Sequence, residues 1–327
     1  MAFFLPRLRG KSFRRILFVY FRELGPDGHG KMTPHFFFPA FRNALRPYGI
    51  IVEDCSDEQL AAQLDRYRGQ PIILVYREVH AATNSAFALK VASAEAKARG
   101  HTLHVLHGLS LGLLVADKKA THRALQEAAV PVPKLIEQRR ASVRVFSNDN
   151  CSSHADVCVV DAGCDLNQER YNTEFIDTTH LYEGRHYHVA LRAMCVGRSC
   201  ASIYIRARPI DDGSPSVHNK DTPIDAGLLN NLYRRIVVPR KARIDEICRA
   251  IGARLGPAFY SHDLLPSNST QDIYVCETGF KFDDMSIRSH LAPLADDIPF
   301  NDHAAAIERS AHALVSALTA HWRVLST

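Results

Sequence analysis

Residues 116–133 read Ala116-Asp-Lys-Lys-Ala-Thr-His-Arg-Ala-Leu-Gln-Glu-Ala-Ala-Val-Pro-Val-Pro133, and the pattern of the chain changes there. The stretch predicts one helix from Ala116 to Ala129, which Pro131 and Pro133 end because proline cannot continue a helix. Lys118 falls in the first turn of this helix, from which a lysine can reach a bound phosphate. The alternative is an ordinary lysine in contact with water.

Apolar runs and helical patterns alternate before residue 116. The predicted strands are Arg15–Phe21, Ile50–Val52, Pro71–Tyr76 and Thr102–Leu106, and the predicted helices are Phe36–Tyr48, Asp57–Gly69 and Asn84–Arg99. This order predicts a mainly parallel sheet that is covered on both faces. A dinucleotide enzyme built on the sheet is disfavoured, because no Gly-x-Gly-x-x-Gly follows the first strand.

Short predicted strands and two long helices follow residue 133. The strands are Val143–Phe146, Asp156–Val160, Val189–Val196, Ala201–Arg206, Phe259–Asp263 and Asp272–Glu277, and the helices are Asp225–Leu255 and Asp302–Trp322. A chain of 327 residues is long enough for two or three domains.

Composition excludes several classes of protein. The net charge of +5 comes from 40 Lys+Arg against 35 Asp+Glu. The basic residues are scattered apart from the runs 7–15 and 234–243, which we interpret as solvated surface, with an anionic ligand as the alternative, so we expect no nucleic-acid partner. No run approaches the roughly 20 apolar residues of a membrane span, and the apolar start is too short for a signal peptide. We therefore expect a cytoplasmic protein without a membrane partner.

The eight cysteines contain no Cys-x-x-Cys pair, so the sequence shows no standard zinc knuckle. Cys151, Cys158 and Cys164 are close together, but no fourth ligand accompanies them. We expect reduced and mostly buried thiols.

Glu174 lies in the strand-like segment Tyr171-Asn-Thr-Glu-Phe-Ile-Asp177. A nucleobase needs a carboxylate or carbonyl that accepts from its amino group, and backbone groups that contact its edge. The segment is therefore a candidate for base recognition, and the alternative is an ordinary charge on an edge strand.

Four arginines alternate with apolar residues in a predicted hairpin that turns at Gly197-Arg198. They are Arg185, Arg192, Arg206 and Arg208. Cations on one face of a sheet suit a polyanion, whereas the alternative is a half-exposed sheet.

Asp263 and Glu277 fall near the ends of two predicted adjacent antiparallel strands. Two carboxylates placed in this way can share a magnesium ion, whose ligands are oxygens from one or two carboxylates and from phosphates. Pairs of acids at such positions also arise by chance.

Taken in this order, the lysine helix with Pro-x-Pro, the Glu-Phe-Ile segment, the arginine hairpin and the two late acids resemble the ATP-grasp superfamily over roughly residues 15 to 285. The resemblance implies an α/β chain in which a β/α parallel-sheet domain precedes a two-lobed α+β grasp fold. The implied domains are 1–115 before the grasp, 116–170 as its small central lobe and 171–327 as its C-terminal lobe.

The resemblance also implies an ATP- and Mg²⁺-dependent carboxylate–amine ligase that works through an acyl phosphate. It implies phosphate binding by Lys118 and Arg144, adenine recognition by Glu174, Phe175 and Ile176, and Mg²⁺ binding by Asp263 and Glu277. Arg206 would neutralise the transferring phosphoryl group, and Arg185 would orient a small-molecule or peptide carboxylate. The carboxylate takes up the γ-phosphoryl group, and an amine then attacks the resulting acyl phosphate. Pairing of two copies through the first sheet domain is a further expectation.

Three positions differ from the pattern of that superfamily. Arg144 stands where the family has a second lysine, the loop Ser147–His154 replaces a glycine-rich flap, and Gly279 stands where an asparagine normally binds metal. Asp283, Asp284 or water are the candidate replacements for that asparagine. Two alternative functions stay open, a nucleotide-binding protein without turnover and an ATP-dependent phosphotransferase.

Overall fold

The structure is a computed structural model. It describes residues 15–20, 37–56, 58–68, 70, 72–76, 92–93, 96, 103–106, 108–137, 144–150, 157–161, 165–280, 289–294, 297–298 and 303–325.

A parallel sheet of four strands forms the first part of the fold. The strands are β1 (Arg15–Tyr20), β2 (Ile51–Ser56), β3 (Ile72–Tyr76) and β4 (Leu103–Leu106), in the spatial order β2-β1-β3-β4. The neighbouring residues Ile16 and Leu17 point to opposite faces and are both fully buried, so the sheet is covered on both sides as predicted. Helices α1 (Phe37–Leu45) and α2 (Leu60–Arg66) belong to this part. The helix predicted for Asn84–Arg99 lies outside the described residues, apart from residues 92, 93 and 96.

The helix predicted from Ala116 to Ala129 is present but begins two residues later, and a separate helix ends at Ala116. The two helices are α3 (Leu109–Ala116) and α4 (Lys118–Glu127), and Asp117 is the N-cap of the second. The Asp117 carboxylate accepts a hydrogen bond from the Ala120 backbone N–H at 2.9 Å, which satisfies one of the unpaired donors at the start of the helix. This cap fixes Lys118 at the first position of α4.

A small antiparallel sheet follows, with strands β5 (Val145–Asn148), β6 (Cys158–Val160) and β7 (Tyr171–Glu174) in the order β6-β5-β7. Because β7 pairs with β5, the small sheet continues through Glu174, beyond the domain boundary that the sequence predicts after residue 170. That boundary and the one after residue 115 stay predictions.

The largest sheet is antiparallel and has five strands. They are β8 (Thr179–Tyr182), β9 (Arg185–Val196), β10 (Ser199–Pro209), β11 (Phe259–Pro266) and β12 (Ile273–Gly279). The spatial order is β10-β9-β11-β12, and β8 also pairs with β9. The predicted hairpin turn is present, with Gly197 in the left-handed region at φ 55°. Asp263 lies directly opposite Glu277 in the register of β11 and β12.

Helices cover the large sheet and join it to the first sheet. α5 (Ala226–Leu232) continues through a π-helical turn at Tyr233–Val237 into α6 (Val238–Leu255), whose buried side chains include Ile244, Cys248 and Ile251. The last helix, α7 (His303–Leu325), packs against α1, β9 and β10. None of the described helices combines the length and the apolar character needed to cross a lipid bilayer.

Candidate functional site

A cleft of about 380 Å³ lies between the small sheet and the large sheet. Seven of the nine residues predicted for the site line it, which are Lys118, Glu174, Phe175, Ile176, Arg206, Asp263 and Glu277. The loop 215–220 borders the same space. The topology therefore brings residues from five separate parts of the chain to one cavity.

Arg192 and Arg206 meet at the carboxylate of Asp263. Arg192 donates from Nε at 2.8 Å and from an Nη atom at 3.0 Å, and Arg206 donates from an Nη atom at 2.8 Å. Burial would raise the pKa of Asp263, but the charges of Arg192 and Arg206 outweigh it and lower the pKa below its usual value. Asp263 is therefore an anion with both oxygens bonded to guanidinium groups.

Arg206 is the most deeply placed cation of this group, with 6% of its side chain exposed. Burial lowers the pKa of Arg206 from its usual value, an effect that Asp263 opposes. Its Nε atom is buried and has no hydrogen-bond partner among the described residues. A buried donor without a partner is uncommon, and an anionic ligand in the cleft would supply the missing acceptor.

Lys118 is buried at the start of α4. Its Nζ donates to the backbone carbonyl of Asp149 at 3.1 Å, and its backbone N–H donates to that of Asn150 at 2.9 Å. The neighbouring Lys119 points elsewhere, because its Nζ donates to the carbonyls of Gln168 and Glu169 at 2.6 and 3.3 Å. Only the first of the two lysines borders the cleft.

Residues 174–176 connect the two sheets along one side of the cleft. Glu174 is fixed by two hydrogen bonds to Lys134, one between the backbones at 2.8 Å and one from the Lys134 N–H to the Glu174 carboxylate at 2.9 Å. The Phe175 N–H donates to the carbonyl of Arg144 at 2.9 Å and is therefore engaged within the protein. The Glu174 carboxylate, which can accept further hydrogen bonds, the Ile176 backbone and the carbonyls of the segment are therefore the candidates for contact with a base.

Arg144 and Arg185 do not line the cleft. The Arg144 side chain is 59% exposed, lies 3.5 Å from Asp161 and places its guanidinium carbon 4.7 Å from the centre of the Phe175 ring. Arg185 is 49% exposed and lies 3.3 Å from Asp211 at the outer end of β9. Their predicted roles in phosphate binding and substrate orientation stay predictions, and neither position supports them.

The structure describes part of the loop 147–154 and Gly279, where the sequence differs from the ATP-grasp pattern. In the loop 147–154, residues 147–150 are described, and Asn148 lines the cleft. A methyl group built on Gly279 would meet no atom within 4 Å, so this position has room for a larger side chain. Asp283 and Asp284 lie outside the described residues.

Arg192 was in the predicted arginine face but was not selected as a site residue. Its place in the site follows from the pairing of β9 with β11, which puts Arg192 directly opposite Asp263 and which only the structure shows. His188 and Lys220 also line the cleft and were not predicted. Lys220 belongs to the loop 215–220, which lies between the predicted strand that ends at Arg206 and the predicted helix that begins at Asp225.

A histidine lies behind the cleft in α4. His122 is buried, and its Nδ1 lies 3.0 Å from the hydroxyl of Tyr171, which lines the cleft. Burial lowers the pKa of His122 to about 4, and the charge of Arg123 acts in the same direction. The ring is therefore neutral at physiological pH.

Comparison with known proteins identifies the fold. No protein-family model matches the sequence, and no curated protein matches it. The chain is similar to the solved structure of the ATP-grasp ligase PsnB complexed with minimal precursor, at 9% identity over 94% of this chain and 99% of that chain, with a TM-score of 0.52. It is also similar to D-alanine–D-alanine ligase from Bacillus anthracis complexed with ATP, at 9% identity over 94% and 99% of the two chains, with a TM-score of 0.51.

The architecture is thus a parallel α/β unit followed by two antiparallel sheets around a cleft, which confirms the predicted fold class. The chain has an ATP-grasp fold. At 9% identity, these likenesses establish the fold, and the chemistry has to be argued from the cleft.

Proposed function

We propose that this chain is an ATP- and Mg²⁺-dependent ligase that activates a carboxylate and joins it to an amine. The observation that carries the proposal is the convergence of Lys118, Glu174, Arg206 and Glu277 on one cleft of an ATP-grasp fold. The two similar structures are also named as ligases. The substrates are a small-molecule or peptide carboxylate and an amine.

Different residues of the cleft suit the base and the phosphates of a nucleotide. Residues Glu174 to Ile176 supply a carboxylate and backbone groups for the amino group and edge of adenine. Lys118, Arg192 and Arg206 supply positive charge for the phosphates. A triphosphate would also accept from the Arg206 Nε atom, which has no partner among the described residues.

Glu277 is better placed than Asp263 to bind a magnesium ion. Glu277 borders the cleft opposite Asp263 in the hairpin, and one or two carboxylates with phosphate oxygens and water are the usual ligands of this ion. Both Asp263 oxygens already accept hydrogen bonds from arginines. We therefore assign Glu277 as the principal metal carboxylate, and Asp263 would have to exchange a guanidinium group before it could bind the ion. When bound, magnesium would reduce the negative charge on the β- and γ-phosphates.

The chemical step follows from this arrangement. A substrate carboxylate oxygen attacks the γ-phosphorus and ADP leaves, after which the amine attacks the acyl carbon, phosphate leaves and the amine loses a proton. Arg206 and Arg192 offset the negative charge that accumulates when two anions approach each other. The loop 215–220 borders the cleft and would help to exclude water, which hydrolyses acyl phosphates.

Calorimetric titration with a non-hydrolysable ATP analogue and Mg²⁺ tests the binding step. We expect Lys118→Ala to weaken binding by at least about ten-fold, or about 1.4 kcal/mol. Lys119→Ala is the matched control, because it removes the same charge from the next residue without changing the lining of the cleft. Equal affinities for the two variants would refute the assignment of Lys118.

Release of ADP in the presence of a panel of carboxylates and amines tests the ligase step. An amide product formed with one ADP supports the proposal, whereas a stable phosphorylated product would indicate a phosphotransferase.

A nucleotide-binding protein without turnover is the second candidate. It is favoured by the commitment of both Asp263 oxygens to arginines and by Gly279 at the position of a metal-binding asparagine. Tight ATP binding with no ADP release across the panel would favour this candidate over the ligase.

A further inference from the structure

Three cysteines and a histidine meet on the face of the large sheet opposite the cleft. Successive residues of a strand point to opposite faces, so His262 points away from the side on which Asp263 contacts the arginines. Cys195 of β9 lies opposite Tyr260 of β11, on the same face as His262. Cys248 belongs to α6, which packs against β9 and β10.

The distances within this group suit a metal ion. One ligand atom from each of Cys195, Cys248 and His262 lies within 4.8 Å of the other two, and all three residues are buried. A tetrahedral zinc ion with bonds of about 2.3 Å to sulfur separates its sulfur ligands by roughly 3.8 Å. Small side-chain rotations would therefore bring these atoms to a common centre.

Cys200 is the candidate for a fourth ligand, although it lies outside the group of three whose ligand atoms are all within 4.8 Å of one another. It lies directly opposite Cys195 in the β9–β10 hairpin, and its side chain is hydrogen-bonded with those of Cys195 and Cys248. The two cysteines flank the turn at Gly197-Arg198, with four residues between them. Pairs of cysteines with two to four intervening residues are common in structural zinc sites.

The setting of His262 is an independent indication of a ligand. Its Nδ1 lies 3.1 Å from the hydroxyl oxygen of Thr278, whereas its Nε2 is buried with no hydrogen-bond partner among the described residues. When Nδ1 donates to Thr278, Nε2 presents a lone pair with no donor. A metal-binding histidine has this same arrangement, with one ring nitrogen held by a neighbour and the other on the metal.

The surrounding charge is compatible with such a centre. A zinc ion bound by three thiolates and a neutral imidazole carries a net charge of −1. Lys241 of α6 lies close enough to Cys200 and Cys248 for electrostatic interaction and is hydrogen-bonded to Asp245. Lys241 would offset part of the charge of the centre, and Asp245, which also interacts with Cys200 and Cys248, would oppose this effect.

We propose that Cys195, Cys200, Cys248 and His262 form a structural zinc site on the back of the large sheet. Binding of Zn²⁺ displaces up to three protons from the thiols and involves no oxidation or reduction. The ion would join the β9–β10 hairpin, α6 and β11, which are the elements behind the cleft. The argument for this site does not rest on the proposed ligase activity.

Metal analysis of the whole chain tests the proposal. Protein produced in zinc-supplemented medium, purified without chelators and without a histidine tag, should contain about one zinc ion per chain. Cys248→Ser should lose most of this zinc. Cys55→Ser is the matched control and should keep it, because Cys55 is a buried thiol in β2, in the first sheet.

A measurement on the wild-type chain avoids the risk that a cluster variant fails to fold. Replacement of zinc by Co²⁺ should produce the visible absorption of tetrahedral cobalt–thiolate coordination, and chelation should increase the number of thiols that react with a maleimide. Wild-type protein without zinc and without the cobalt absorption would overturn the proposal. Full zinc content in Cys248→Ser, a disulfide among these cysteines, or bound iron or copper in place of zinc would also overturn it.

Discussion

Replacing Asp263 with asparagine should strongly destabilise the protein, because it leaves Arg192 and Arg206 without their counterion. The side chains of Arg192, Arg206 and Asp263 are 13%, 6% and 16% exposed, and three hydrogen bonds of 2.8–3.0 Å join them. Removing one partner of a buried ion pair costs about 3–5 kcal/mol. Since the group retains some contact with water, we expect a loss near the lower end, about 3 kcal/mol.

The assay is urea denaturation followed by circular dichroism at constant pH, with the slope m checked for each variant. Asp211→Asn is the control, because Asp211 pairs with an arginine in the same sheet but is 74% exposed, and exposed pairs contribute about 0–1 kcal/mol. A double-mutant cycle with Arg206→Met isolates the pairwise energy. The reasoning is refuted if Asp263→Asn is no more destabilising than Asp211→Asn at unchanged m.

Three further perturbations test other parts of the fold and site. Glu277→Ala should abolish ADP release while the chain stays folded, since a metal carboxylate contributes several kcal/mol to the transition state, and wild-type turnover would remove the metal assignment. Gly252→Ala should lower the free energy of unfolding by about 1–3 kcal/mol, because the methyl group would overlap the carbonyl oxygen of Gly197, whereas Gly279→Ala, which meets nothing within 4 Å, should have little effect on denaturation. His122 has a pKa lowered to about 4 in the fold against about 6.5 when unfolded, so its contribution to stability is complete above pH 6.5 and is lost as pH falls towards 4. Denaturation curves across this range should therefore show a weaker pH dependence for His122→Gln, and an identical dependence would contradict the assignment.

The hairpin that carries Asp263 and Glu277 could be predicted because both strands and their turn lie in one short segment of sequence. Asp263 and Glu277 flank a polar turn in one continuous segment, and the structure pairs them directly. The contact of Asp263 with Arg192 joins residues 71 positions apart and depends on β11 lying beside β9. A single sequence carries no periodic signal for that choice of neighbour, so the counterion of Asp263 could not be predicted.

The wrong start of the helix predicted at Ala116 has a different cause. Residues 109–116 are almost entirely apolar, so they lack the alternation of polar and apolar faces that marks a surface helix. The cap at Asp117 was a local signal, because an aspartate before a helical pattern is a preferred N-cap, but the apolar run before it hid the boundary. Lys118 is in the first turn whether the helix begins at Ala116 or at Lys118. The place of Lys118 in the cleft could therefore be predicted despite the wrong helix start.

The two proposals meet on β11, where His262 and Asp263 are consecutive residues on opposite faces of one sheet. Metal binding at His262 would restrict the backbone that also positions Asp263 and, through it, Arg206. Because coupling between two binding sites is reciprocal, a zinc ion that strengthens nucleotide binding must itself be held more tightly when nucleotide is bound. Slower loss of zinc to a chelator in the presence of an ATP analogue would show this coupling, and equal rates would show that the metal stabilises the back of the sheet without affecting the cleft.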